Sequence, residues 1–287
     1  MMRRLRVERL NVNDAPIEEL PPSSDMWVPG HRRRVLSHDP ETGAKTYVSE
    51  IPPDYRRDHE RSYRETYPPG RFEHHQIHEE GVILDGRYDF GGWYDFDAMS
   101  YLNHPPTWVH PADQCVPQGA RLIMKLSGPL AFDYADIPAD WDGTEFPLDP
   151  AAAAPYGGVT ATSLRAGSGG SHEDGSWWQR LWHDPLHGWT TWFVTIPAAW
   201  RGSGPGTEES GGDEVFVISG DVSLVVGDAV QPLVAGDYVC DPDVFRRGGT
   251  AEASRDGAVL LRWTRGATTL EALDGGLEAM TDVEADR

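Results

Sequence analysis

The chain has 287 residues, with 46 acidic and 25 basic side chains and a formal net charge of −21. This charge argues against a nucleic-acid partner, because phosphate contacts need clustered Lys and Arg, and it disfavours an anionic membrane surface for the same reason. No stretch of the sequence approaches the roughly 18 apolar residues of a membrane span. Two isolated thiols, Cys115 and Cys240, are typical of a reducing compartment, so a cytoplasmic protein is expected.

Four sequence blocks recur in the same order in the two halves of the chain. In each pair, apolar runs, acidic residues and small residues occupy corresponding places. The pairs are 46–55 with 191–200, 78–86 with 212–220, 101–110 with 238–247, and 120–126 with 258–264. Four colinear pairs indicate a duplicated domain rather than a solenoid, whose repeats have periods of roughly 20 to 50 residues.

The blocks are predicted to be short strands. Apolar or β-branched runs bounded by Gly and Asp, such as 82–84, 215–218 and 222–226, are typical of strands that end in tight turns. With 31 Gly and 23 Pro in the chain, long helices are repeatedly interrupted. Many short strands with turn signals favour an all-β sandwich or barrel, and the jelly roll is one such fold.

Two motifs in the first half resemble those of the cupin superfamily. The first motif, HxH, three residues, Glu, six residues, Gly, is matched by Glu73-His74-His75, Glu79 and Gly86, with Glu73 where the first His is expected. The second motif, Pro-x-Gly-x-x-His, is matched by 105–110, with Thr107 in place of Gly. The second half resembles a cupin by its strand pattern but lacks the motif residues, with Arg247 where the first half has His110.

The resemblance implies an all-β protein of two tandem cupin barrels, each a double-stranded β-helix of the jelly-roll type. The second barrel is predicted to be degenerate and structural. The expected organisation is an N-terminal arm (1–30), a first cupin domain (31–132), a linker or covering segment (133–178), a second cupin domain (179–265) and an acidic C-terminal tail (266–287).

A metal site is predicted in the first barrel. The resemblance implies His75, Glu79 and His110 as ligands, with Glu73 as a fourth ligand or a nearby catalytic base. Alternation along a strand would point Glu73 and His75 into the barrel and His74 away from it. A register slip of one residue would turn His74 inward instead, since such a slip reverses every side chain.

The ligand set predicts one divalent ion per chain. Two imidazoles and a carboxylate suit non-haem Fe(II) and leave positions open for substrate and O2, so Fe(II) is preferred, with Mn(II) or Zn(II) as alternatives. His78 and His104 lie beside the motifs and are expected in loop or outer roles, with His104 in the substrate pocket. The other expected pocket residues are Tyr88, Trp93, Tyr94, Tyr101 and Trp108, and Tyr101 is also a candidate to move a proton.

Aromatic walls suit a flat enolic, phenolic or dicarbonyl substrate. The expected function is therefore that of a dioxygenase-type oxidoreductase acting on a small organic molecule with O2. The alternatives are a redox-neutral isomerase, cyclase or lyase, and a non-catalytic cupin that binds or senses a ligand. Pairing of barrels through strand edges is expected either within one chain, as a monomer, or between chains, as a homodimer.

Overall fold

A computed structural model of the chain describes residues 6–19, 30–57, 72–90, 94–111, 114–131, 133–135, 146–156, 158–164, 169–171, 174–184, 186, 188–202, 208–210, 213–226, 229–241, 245–247 and 253–265. The chain forms two compact units, one of residues 1–5 and 10–168 and the other of residues 6–9 and 169–287. The predicted acidic tail, 266–287, lies outside the described residues.

The described elements are almost entirely strands, which confirms the predicted all-β class. In chain order they are β1 (Val7–Asn11), β2 (Ile17–Glu19), β3 (Arg32–His38), β4 (Lys45–Ile51), β5 (Tyr55–Arg57), β6 (Phe72–His74), β7 (Glu79–Phe90), β8 (Tyr94–Asp97), β9 (Ser100–His104), β10 (His110–Pro111), β11 (Gln114–Val116), β12 (Ala120–Leu126), β13 (Asp133–Tyr134), β14 (Thr160–Ser163), β15 (Gly170–Ser171), β16 (Trp177–His183), β17 (Trp189–Ile196), β18 (Glu208–Ser210), β19 (Asp213–Val226), β20 (Ala229–Val234), β21 (Asp237–Asp241), β22 (Phe245–Arg247) and β23 (Ala258–Arg265).

Helical structure within the described ranges is limited to α1 (Pro150–Ala153) and the 3₁₀-helix that follows it, Ala154–Tyr156. Asp149 caps α1 by accepting hydrogen bonds from the backbone N–H groups of Ala151 and Ala152. Neither of these helical turns has the length and apolar character to cross a membrane. The segment predicted as a linker, 133–178, therefore contributes these turns as well as β13, β14 and β15.

In the first unit, antiparallel strands form a sheet in the order β14–β9–β7–β12–β4–β3–β2. A separate small sheet has the order β10–β6–β13. Most neighbours in these sheets are distant in sequence, as β4 and β12 show, so the pairing is made by long-range contacts. Part of the predicted N-terminal arm pairs as β2 with β3 at the edge of the main sheet.

Alternate residues of five neighbouring strands line one internal cavity of the first unit. Side chains two positions apart share a face of a pleated strand, and every one of these strands follows that rule. The register of the sheet therefore decides which side chains reach the cavity. They are Arg33 of β3, Tyr47, Ser49 and Ile51 of β4, Leu122 and Met124 of β12, Glu79, Gly81 and Ile83 of β7, and Leu102 and His104 of β9.

The second unit has a sheet in the order β1–β21–β19–β23–β17–β16–β15, with β20 paired to β19. Its central strands β17, β23 and β19 repeat the pairing of β4, β12 and β7 in the first unit. The matched registers are Ile51↔Ala120↔Gly86 in the first unit and Ile196↔Ala258↔Gly220 in the second. The recurring sequence blocks thus form corresponding strands.

Each unit places a glycine just after a break in the β-ladder. The register shifts around Leu84 in β7 and around Ile218 in β19, which leaves one extra residue in each strand. Gly86 and Gly220 follow with φ of 83° and 80°, in the left-handed region. A Cβ on either residue would overlap a backbone carbonyl oxygen of the neighbouring turn. The motif glycine is therefore required by backbone geometry rather than by chemistry.

A Tyr–Glu hydrogen bond recurs in the two units at corresponding places. The Tyr101 hydroxyl donates to Glu80 Oε2 at 2.9 Å, and the Tyr238 hydroxyl donates to Glu214 Oε2 at 2.9 Å. All four side chains are buried. Each pair joins two neighbouring strands, β9 to β7 in the first unit and β21 to β19 in the second.

We expect Gly220→Ala to destabilise the protein by at least about 1–3 kcal/mol, the usual cost of a strained backbone conformation. The substitution forces a side chain into the left-handed region and against the carbonyl oxygen of Gly257. Gly170→Ala is the matched control in the same unit, because a Cβ there meets nothing within 4 Å. The measurement is the midpoint of urea unfolding, and equal midpoints for the two variants would contradict the prediction.

Candidate metal centre

Three buried imidazoles converge in the first unit. One ring nitrogen each of His75, His104 and His110 lies within 4.8 Å of the other two. The ring centroids are 4.9 Å apart for His75 and His104, 5.7 Å for His75 and His110, and 4.5 Å for His104 and His110. Imidazole nitrogen is a common ligand of divalent ions, so this group could hold a metal ion.

The β-ladders bring the three histidines together from distant parts of the chain. His104 is the last residue of β9 and stands opposite Glu79 of β7. His110 opens β10 and stands opposite Glu73 of β6. His75 follows β6 directly, one residue after that strand ends. The histidines are thus fixed at strand ends, where the backbone is held by its neighbours.

The turn before His110 is tied to the backbone of His75. The Thr107 N–H donates to the His75 carbonyl oxygen at 2.8 Å, and the Thr107 carbonyl accepts from the Leu148 N–H at 2.9 Å. Thr107 has φ of 66°, in the region that favours glycine. The motif position occupied by Thr107 therefore carries a left-handed conformation, which explains why Gly is the residue of the motif pattern there.

Backbone hydrogen bonds orient two of the three imidazoles. Nδ1 of His75 lies 2.7 Å from the carbonyl oxygen of Ile77, and Nδ1 of His110 lies 3.0 Å from that of Pro111. A carbonyl oxygen only accepts, so Nδ1 is the donor in each ring and Nε2 is the nitrogen left to face a metal ion. A hydrogen bond of this kind fixes both the tautomer and the ring orientation of a metal-binding histidine.

His104 supplies the most direct sign of a ligand. Both of its ring nitrogens are buried, and neither forms a hydrogen bond to any described residue. Burial, followed by the neighbouring His110 and His75, lowers the pKa of His104 well below its ordinary value. The ring is therefore neutral, which is the form that binds a metal ion. A buried polar atom without a partner is costly, and a bound ion would remove that cost.

Glu79 stands next to the three imidazoles and lines the cavity. Its Oε2 lies 3.1 Å from Nε2 of His75, and its side chain is 14% exposed. Glu73 is fully buried, but its Oε1 lies 3.9 Å from Nδ1 of His110, the ring nitrogen that donates to Pro111. The structure thus places Glu79 beside Nε2 of His75 and Glu73 beside Nδ1 of His110.

β6 ends at His74, so His75 stands one residue beyond the strand, and Glu73 and His75 are both fully buried. His74 itself is outside the group of three imidazoles, and burial lowers its pKa. The ring of His78 contacts Asn103 through Nε2 and stacks on Tyr156 with ring centroids 5.9 Å apart. His78 thus buttresses the end of β9, which carries His104.

The cavity beside the imidazoles has a volume of about 70 Å³. Among the predicted pocket residues, Tyr88 and His104 line it. Tyr94 instead stacks on Phe96, which does line the cavity, with ring centroids 5.5 Å apart. Other lining residues are His31, Phe96, His110, Gln114 and Leu130.

Three predicted residues do not reach this cavity or cannot be placed. Neither Tyr101 nor Trp108 is among the described lining residues. The Tyr101 hydroxyl donates to Glu80, and the backbone of Trp108 forms an isolated β-bridge with Pro147. Trp93 lies outside the described residues. The equivalent Tyr238 makes the same hydrogen bond in a unit without the histidine motif, which indicates a structural role for Tyr101.

Sequence reasoning missed Arg33, Tyr47 and Phe96 as cavity residues. Only Tyr47 falls in a predicted strand block, 46–55, where alternation would have grouped it with Ser49 and Ile51. The signal that was lacking is the order of strands in the sheet, because β3, β4, β12, β7 and β9 become neighbours only through long-range pairing.

Alanine substitution of His75, His104 or His110 is expected to reduce bound metal from about one ion per chain to a small fraction, since each removes one of three nitrogen ligands. His74→Ala is the control, because that imidazole is adjacent in sequence and outside the group. Metal content by elemental analysis of the purified, folded variants is the measurement. Full metal content in His104→Ala would refute the three-histidine centre.

Tyr101→Phe is expected to lower the free energy of unfolding by about 1.5–3 kcal/mol, the range for a hydrogen bond to a charged group, and to leave metal content unchanged. Tyr238→Phe is the matched variant in the second unit and should cost a similar amount. Urea unfolding and elemental analysis are the two measurements. A loss of turnover in Tyr101→Phe at unchanged stability would instead support proton transfer by this phenol.

No protein-family model and no curated protein sequence matches the chain. Solved structures with a similar fold include a candidate dioxygenase from Nostoc punctiforme, at 16% identity and a TM-score of 0.60, covering 92% of this chain and 82% of that one. Another is salicylate 1,2-dioxygenase from Pseudaminobacter salicylatoxidans, at 14% identity and a TM-score of 0.55, covering 83% of this chain and 74% of that one. These likenesses show the fold, and they confirm the predicted all-β jelly roll of the cupin type.

Proposed function

We propose that the chain is a metal-dependent cupin enzyme of the dioxygenase type, acting on a small enolic, phenolic or dicarbonyl molecule. The observation that carries the proposal is His104, a buried neutral imidazole whose ring nitrogens form no hydrogen bond with described residues and which lies beside His75 and His110 at the cavity. A structural histidine would be expected to have a hydrogen-bond partner.

The donor set supports one divalent ion held by His75, His104 and His110. Three imidazoles would fill three positions and leave others open, which suits Fe(II), while Mn(II) and Zn(II) also accept such ligands. When bound there, Fe(II) would supply a site at which O2 and an oxygen-bearing substrate are activated side by side. Glu79 is near enough to be a further ligand or to act beside the ion. The proposed ligand set does not include Glu73.

The residues of the chain would bind the substrate and move its proton. Tyr88, Phe96 and Leu102 give the cavity an apolar wall for a flat molecule and exclude water from it. Glu79 Oε2, at 3.1 Å from Nε2 of His75, is placed to accept a proton from a substrate hydroxyl. The Nδ1 hydrogen bonds of His75 and His110 hold the imidazoles in a constant orientation throughout.

The similar structures support this proposal through their fold. One of them is salicylate 1,2-dioxygenase in complex with gentisate, and the structure from Nostoc punctiforme is a candidate dioxygenase. One fold hosts many reactions, so the site residues carry the argument and the likeness adds to it. The partners that follow are a small-molecule substrate and O2.

We further propose that the chain belongs to the cupin superfamily as a tandem pair, with domains near 31–132 and 179–265. The matched registers, bulges and Tyr–Glu hydrogen bonds support a duplication. The second unit has neither of the histidines that the motif requires, which supports a structural role for it. A cytoplasmic location and a monomeric or homodimeric state complete the proposal.

The test is oxygen consumption by protein purified without air and loaded with Fe(II), using a panel of catechols, hydroxybenzoates and β-diketones. We expect uptake of about one O2 per substrate consumed with at least one compound class, and its loss in His104→Ala. His74→Ala should consume oxygen at the wild-type rate. Turnover of a panel compound without O2 would instead establish a redox-neutral enzyme, and absence of bound metal would refute the metal centre.

A further inference from the structure

Three consecutive arginines of β3 divide between the two faces of the sheet. Arg32 and Arg34 lie on one face, where their guanidinium nitrogens contact Glu50 at 3.1 and 2.7 Å. Arg33 lies on the other face and lines the same cavity as His104 and His110. Its side chain is buried, with 8% of the residue exposed. Alternation along β3 therefore places one cationic side chain, that of Arg33, in the lining of a largely apolar cavity.

The ring of Tyr47 holds the guanidinium of Arg33 in place. The guanidinium carbon lies 4.9 Å from the ring centroid, in a cation–π contact. Burial raises the pKa of Tyr47 to about 12, with Arg33 lowering it and Glu79 raising it. The phenol is therefore neutral and offers a π-face rather than a charge. A guanidinium has five N–H donors in one plane, a fork whose geometry matches the two oxygens of a carboxylate.

Other polar groups reach the cavity near Arg33. Ser49 is opposite Arg33 in the ladder of β3 and β4, and its hydroxyl lies 2.6 Å from Nε2 of His31. Gln114 contributes an amide to the lining. Apolar side chains, including Ile83, Leu122 and Met124, belong to the strands between β3 and β9 in the sheet. The cavity lining thus combines the cation of Arg33, an apolar middle, and Glu79 with the imidazoles of His104 and His110.

We propose that Arg33 forms an anion subsite, which selects substrates that carry a carboxylate at the end opposite their metal-binding oxygens. The proposal rests on the metal centre proposed above and specifies its substrate class as planar hydroxylated acids. A carboxylate accepts two parallel N–H bonds from a guanidinium, and such charge-assisted pairs are the stronger hydrogen bonds in proteins. The apolar middle of the cavity fits a ring or a conjugated chain between the two ends.

The test compares two ligands that differ only in the carboxylate. Catechol and 3,4-dihydroxybenzoate share vicinal hydroxyls, and the latter carries a carboxylate on the far side of the ring. Dissociation constants are measured on Co(II)-loaded protein from the change in the visible absorption of cobalt. We expect 3,4-dihydroxybenzoate to bind about tenfold to a hundredfold more tightly than catechol in the wild type, as expected for a charged hydrogen bond.

Arg33→Met removes the charge and keeps much of the side-chain volume, so the preference should fall to about one while catechol still binds. Arg32→Met is the matched control on the other face of β3, and it should keep the wild-type preference. An affinity ratio near one in the wild type, or a preference that survives in folded Arg33→Met, overturns the proposal. Arg33→Lys, which keeps the charge without the planar fork, should retain part of the preference.

A second pair of ligands separates failure of the subsite from failure of the metal centre. If the protein takes up no Co(II), the proposed function fails, and calorimetry on the metal-free protein then compares benzoate with benzamide. Tighter binding of benzoate that is lost in Arg33→Met supports the subsite on its own. Equal binding, or binding of neither compound, overturns it.

Discussion

The arrangement of the first unit depends on keeping three buried imidazoles close together beside a cavity. Burial and the neighbouring His110 and His75 lower the pKa of His104, so this ring does not gain a proton to satisfy its nitrogens. A buried polar atom without a partner lowers the stability of the folded state by about 1–3 kcal/mol. A divalent ion bound by all three rings would give a buried ring nitrogen the partner it lacks. The strained φ of Thr107 and the Nδ1 hydrogen bonds of His75 and His110 are local features that hold this arrangement.

The two units share backbone features but differ in the side chains that could bind a metal ion. Both retain the bulge, the left-handed glycine and the Tyr–Glu hydrogen bond, because these are demands of the backbone and of strand pairing. The converging histidines occur in the first unit alone among the described residues. The converging histidines are therefore not required by the backbone features that the two units share, which is why the likeness to solved structures indicates architecture more strongly than reaction.

Strand alternation also sets the character of the cavity. On β3 a shift of one residue would exchange Arg33 for Arg32 or Arg34, whose charges are matched by Glu50 on the other face. On β7 the same rule sends Glu79 into the cavity, whereas Glu80 is hydrogen-bonded to Tyr101. Neighbouring residues of one chemical type thus have separate roles, one in strand cohesion and one in the cavity, because successive side chains point to opposite faces.

The sequence by itself determined the all-β class and the recurring blocks, because turn residues and apolar alternation are local properties. The grouping of His75 with His110 followed from the resemblance of the two motifs to those of cupins. Tertiary structure alone decided that His104 joins them, since its position opposite Glu79 depends on the pairing of β9 with β7. It also decided that Glu73 lies beside Nδ1 of His110, because β6 ends at His74 and pairs with β10. Arg33 and Tyr47 enter the cavity through strand order, which long-range pairing sets and which no local pattern of residues encodes.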